Sequence, residues 1–128
     1  MVATQPLDHA TLTAEERLVL EQFVDLLRRR LGAGLRAVWL FGSRARGDAV
    51  AELSDVDVLV ITDQAGWSES GRVYEALHEA ARAVSLPNVA WSFSVHVHEP
   101  GWLQQRRAVG SFFAAEVDRD HIDLMSTA

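Results

Sequence analysis

Residues 35–61, LRAVWLFGSRARGDAVAELSDVDVLVI, constrain the fold more than any other stretch of the chain. An apolar run, Val38-Trp39-Leu40-Phe41, stops at Gly42-Ser43 and gives way to a polar loop with Arg44, Arg46 and Asp48. A second apolar run over 56–61 contains Asp57, with Asp55 two positions earlier. Short apolar runs bounded by turn residues read as buried strands. Side chains on a strand alternate between faces, so Asp55 and Asp57 share one, about 6.5–7 Å apart along the chain. An acid inside an apolar strand is costly to bury without a partner. Two carboxylates on one strand edge suit hard divalent cations, which take oxygen ligands. Such a pair can bracket two ions about 3.5–4 Å apart. Gly42 lacks a Cβ, so backbone can approach an anion closely there. Ser43 adds a hydroxyl at a point where a helix can start, with free N–H groups facing that anion.

Composition narrows the ligand further. A net charge of −6 argues against a general nucleic-acid binder, which would show a basic face. There is no cysteine, so no disulfide framework, thiolate zinc site or cysteine nucleophile is available. Lysine is absent too, and all 12 basic residues are arginine. Phosphate charge must therefore be met by arginine, backbone N–H or metal. Arg44 and Arg46 read as that charge, placed against a bound polyphosphate. The plainer alternative is a pair of surface arginines beside Asp48 and Glu52. No apolar stretch approaches membrane-spanning length and the N-terminus lacks signal-peptide character, so a cytoplasmic protein with no membrane partner is expected.

The 128 residues suffice for one core, with 1–12 expected as a flexible polar tail and 13–128 as a single domain. Thr13 with Glu16 forms a capping box that starts a helix with Leu18, Leu20, Phe23, Val24, Leu26, Leu27 and Leu31 at helical spacing. Arg28-Arg29-Arg30 suits its last turn, and Gly32 and Gly34 end it. Strands are expected over 35–41, 53–62 and 89–98. A helix over 69–85 follows, capped by Ser68, with an apolar stripe of Val73, Leu77, Ala80, Ala81 and Val84. Short helices over 102–109 and, capped by Ser111, to about 119 complete the chain, with Leu124 closing a short strand or packing on the core. The four tryptophans offer interface anchors for a homo-oligomer, with core packing as the alternative for at least two of them. The expected architecture is α/β, a mixed sheet of three to five strands with helices mainly on one face.

The order apolar strand, Gly42-Ser43, eleven residues, Asp55-Val56-Asp57 resembles the nucleotidyltransferases of the polymerase-beta-like superfamily, and within it the minimal nucleotidyltransferases. The resemblance extends over about 34–124. It implies that Gly42 and Ser43 hold a nucleoside triphosphate, with Arg44 or Arg46 countering charge, and that Asp55 and Asp57 bind Mg²⁺, with room for two ions. The implied reaction is Mg-dependent transfer of a nucleoside monophosphate, AMP from ATP, to a hydroxyl acceptor with loss of pyrophosphate. It further implies an antitoxin-like protein paired with an all-helical HEPN-type toxin, which some members modify with AMP. The family's third carboxylate belongs on the polar face of strand 89–98, where Ser92, Ser94, His96 and His98 stand instead. The alternative is therefore a nucleotide-binding or partner-binding module impaired in catalysis. His96 could replace the acid as proton acceptor, His96 and His98 could bind a transition metal, or both could be surface histidines.

Overall fold

The computed structural model describes residues 7, 10–47 and 54–125. It contains α1 (Ala14–Leu31), β1 (Leu35–Phe41), α2 (Gly42–Arg46), β2 (Val56–Thr62), α3 (Trp67–Ala83), β3 (Phe93–His98), α4 (Pro100–Ala108), α5 (Phe112–Asp120) and β4 (Ile122–Asp123). The four strands form one mixed sheet in the order β3-β2-β1-β4. β1 pairs antiparallel with β2 and β4, and β2 pairs parallel with β3. That parallel pair needs a crossover, and α3 supplies it. No described helix is long and apolar enough to cross a membrane.

α1 begins where local chemistry dictates. Thr13 accepts from the Glu16 N–H at 3.1 Å and Glu16 Oε1 accepts from the Thr13 N–H at 2.9 Å, a reciprocal cap. The helix stops at Gly32, whose φ of 51° lies in the region glycine alone enters cheaply. Its buried positions include Val19, Leu20, Phe23, Val24, Leu26 and Leu27, while Leu18 is half exposed, outside the stripe. α3 turns Val73, Ala76, Leu77, Ala80 and Ala81 inward. Both helices cover one face of the sheet, against Val38, Leu40, Val56, Val58, Val60 and Val95. Arg30 at the end of α1 pairs with Glu79 of α3. Leu7, Ala10 and Leu12 pack on this core as well, and the Thr11 N–H donates to Arg44 O at 2.8 Å. The rest of the tail expected over 1–12 lies outside the described residues.

The opposite face holds a smaller apolar cluster of Phe41, Leu59, Ile61 and Val117, with Ala37, Trp39, Trp102 and Phe113 packed on it. α4 and α5 cover this end through Trp102, Phe113 and Val117. The register of β1 against β2 shifts between Leu35 and Ala37. Leu35 lies in the first cluster and Ala37 against the second, although two residues apart they would otherwise share a face. The extra residue is Arg36, which is exposed and pairs with Asp63 at 2.5 Å.

Several boundaries differ from the sequence expectation. β2 starts at Val56, three residues later than expected. Helix α3 starts at Trp67 and not after a Ser68 cap, because Glu69 Oε1 accepts from the Gly66 N–H at 3.2 Å. β3 begins at Phe93 because 87–92 form a 3-10 turn with Pro87 in its first turn. Proline fixes φ and presets such a turn. Trp91 consequently stands 77% exposed, its ring edge-on to His78. Leu124 is buried and its N–H donates to Val38 O beyond the short β4, in accord with either expected role.

Candidate active site

Register brings the separated parts of the motif together. Asp57 lies opposite Phe41 on β1 and opposite Ser94 on β3. The residue after Phe41 is Gly42, where the chain leaves the strand with φ of 77° and enters α2. A Cβ built on Gly42 would fall 2.6 Å from Asp57 Oδ2. The aspartate and the glycine corner are thus in direct contact, and the contact requires the missing side chain. Gly42→Ala is expected to lower stability by about 1–2 kcal/mol through the left-handed backbone alone, and to displace the Asp57 carboxylate. An unchanged urea midpoint would show that the corner yields without strain.

Electrostatics set Asp57 apart. Burial, first of all, pushes its carboxyl above the usual carboxylate range, and the negative charge of Asp55 adds to this against the opposing pull of His96 and Arg44. The side chain of Asp57 makes no hydrogen bond or ion pair with another described residue, and its half-buried carboxylate points into the corner. Asp55 is exposed just before β2. Such a pair is poorly solvated on one side and self-repelling, the arrangement a divalent cation relieves. The donor set therefore fits a hard cation held by oxygen ligands.

Arg44 requires a correction. It was expected beside a phosphate, yet it is turned into the interior, 1% exposed. Its guanidinium meets the Glu16 carboxylate, with Nη1 donating to Oε1 at 2.7 Å and Nη2 to Oε2 at 3.1 Å. It also donates to Thr11 O and to both Oγ and O of Ser54. A guanidinium so committed has its planar fork filled by the protein. Glu16 is the functional partner the sequence reading missed, since its role as a helix cap accounted for it locally. Arg46 remains about a third exposed, with Nη1 3.5 Å from both Glu116 and Asp120 of α5. Asp48 and Glu52, the partners considered for these arginines, lie outside the described residues.

The polar face of β3 carries Ser94, His96 and His98, on the side of Asp57. Ser92 falls in the preceding turn, so Ser94 occupies the place nearest the acidic pair, and no carboxylate stands there. The His96 Nε2 is 3.4 Å from Ser94 Oγ, and its ring rests edge-on to Phe41. His98 lies flat on Trp102 with centroids 3.6 Å apart. Burial, helped by His96 and Arg106, holds His98 below the usual imidazole range. Asp118 and Asp120, which repeat the Asp-x-Asp spacing, sit on α5 and pair with Arg107 and Arg119.

The model of the nucleotidyltransferase domain family matches residues 20–96, a span that runs from α1 through His96 and includes both the glycine corner and the acidic pair. No curated protein matches the chain at a significant level. With well over half its length matched, the chain belongs to the nucleotidyltransferase domain family.

Proposed function

We propose that this chain transfers a nucleoside monophosphate, AMP from ATP, to a hydroxyl acceptor with release of pyrophosphate. The observation that supports this most is the contact between Asp57 Oδ2 and the Gly42 corner. It puts a carboxylate suited to a cation where backbone free of a Cβ can receive a phosphate. In this reading Asp55 and Asp57 hold Mg²⁺, Gly42 and Ser43 hold the β- and γ-phosphates, and Arg46 supplies positive charge from its exposed side. When bound, the ion neutralises phosphate charge and lowers the cost of forming the alkoxide of the acceptor. The chain contributes alignment of the α-phosphate and a partly dry floor made by Phe41 and Leu59. Reactions of this class depend mainly on positioning and charge stabilisation.

The acceptor we favour is a side-chain hydroxyl on a partner protein, of the HEPN type that minimal nucleotidyltransferases accompany, as the resemblance to those proteins implies. A second reading follows from Ser94, which stands where a third carboxylate would. It holds that the chain binds Mg-ATP and a partner without transferring anything. ATP labelled on its α-phosphate, with Mg²⁺ and the candidate acceptor, separates the two. Transfer predicts label on the acceptor and free pyrophosphate; the binding module predicts nucleotide retention without pyrophosphate. Absence of both retention and release would refute the assignment of this site to a nucleotide.

A further inference from the structure

Among the described residues Arg44 is the largest fully buried side chain, and its hydrogen bonds reach from the glycine corner to Ser54. It is rooted in α2, two residues after Gly42. Its Nε donates to Ser54 Oγ at 3.0 Å and its Nη2 to Ser54 O at 2.8 Å. Ser54 immediately precedes Asp55. One side chain belonging to the glycine corner therefore grips the backbone at the start of the acidic pair.

The remaining bonds hold the grip in place. Glu16 takes both Nη atoms and cancels the charge, and Thr11 O takes Nη1 at 3.0 Å. Thr11 in turn donates its N–H to Arg44 O at 2.8 Å. Arginine suits this task because its rigid planar fork donates in several fixed directions at once, and the single ammonium of lysine does not.

We propose that Arg44 is a positioning residue, which fixes Ser54, and thereby Asp55, at a set distance from Gly42-Ser43 so that the cation site exists before any ligand arrives. It touches neither cation nor phosphate. This inference rests on the reading that Asp55 and Asp57 hold a divalent ion, and the test separates the two ideas.

The probe is Mn²⁺ alone, its affinity measured by electron paramagnetic resonance on the full chain without nucleotide. The key variant is Arg44→Met with Glu16→Leu, which removes both charges together. Replacement of a buried ion pair by apolar groups is often neutral for stability, so a melting temperature near that of wild type is expected. Its Mn²⁺ affinity is expected to fall about 10–100-fold, the size of effect seen when partners behind a metal ligand are removed. Ser54→Ala, which deletes one bond of the grip and leaves the Glu16 pair intact, is expected to give a smaller loss at unchanged stability. Wild-type affinity in a folded double variant would overturn the role of Arg44. If the double variant does not fold, Ser54→Ala decides: a loss supports the grip and full affinity overturns it. Failure of the wild type itself to bind Mn²⁺ would overturn the cation site and the grip with it.

Discussion

Asp57→Asn is expected to lower nucleotidyl transfer about a thousand-fold while leaving the protein at least as stable as wild type. The rate follows from removal of one of the two carboxylates proposed to hold the cation, a loss of about 4 kcal/mol in the transition state. The stability follows from the direction of the shift. Asp57 has its carboxyl raised above the usual range, chiefly by burial. A raised value means the folded state holds that proton more tightly than the unfolded chain. Stability from this group is thus present at low pH and is lost as pH rises through the raised value. At neutral pH the charged form is a burden on the fold, and asparagine removes it. Melting temperature and turnover measured on the same preparation check both halves. A variant as active as wild type would sink the metal role, and a large drop in melting temperature would mean that the carboxylate is a structural group.

Glu16→Ala is expected to cost about 3–5 kcal/mol, because it leaves the buried Arg44 guanidinium without its counter-charge. In a chain of this size that is a fall in melting temperature of roughly 12–20 °C. The same pair makes the fold acid-sensitive. Burial alone would raise the Glu16 carboxyl, but the hydrogen bond from Arg44, the Thr13 N–H and the charge of Arg44 outweigh it and hold the group below the usual carboxylate range. A lowered value contributes stability that is fully present above the usual range and is lost as pH falls through the lowered value. Wild type is expected to lose stability on acidification over that window, and Glu16→Ala to lose less. Urea midpoints of both proteins across acidic pH measure the difference. Parallel curves would show that the pair contributes nothing to the acid limb.

The unequal legibility of these residues has a physical cause. Gly42 and Asp57 were readable together because they flank one antiparallel pair, where local alternation fixes which side chains meet. The cap of α1 was readable for the same reason, being a contact over three residues. The absent third acid was also visible, because Phe93-Ser94-Val95-His96 alternates and Ser94 could be assigned to the polar face. Arg44 was not. Its partner Glu16 lies 28 residues away, and an arginine beside a phosphate corner looks the same in sequence as one turned inward. What decides is the contact between the start of α1 and α2 through Glu16 and Arg44, which no short pattern encodes. The onset of β3 failed differently: Val89-Ala90-Trp91 alternates like a strand, but Pro87 imposes a tight turn that overrides the pattern. Trp39 and Trp102 pack on the smaller cluster, whereas Trp67 and Trp91 are exposed, a division that tryptophan content alone does not reveal.

The surplus residue at Arg36 gives β1 one residue more than its pairing with β2 requires. Upstream and downstream of it the chain is in opposite phase, so Leu35 keeps its seat under α1 while Phe41 still delivers Gly42 to the side of Asp57. A chain one residue shorter here would run as a regular ladder with both ends still in place, so the bulge lets this strand absorb a single deletion without turning the corner away from Asp57.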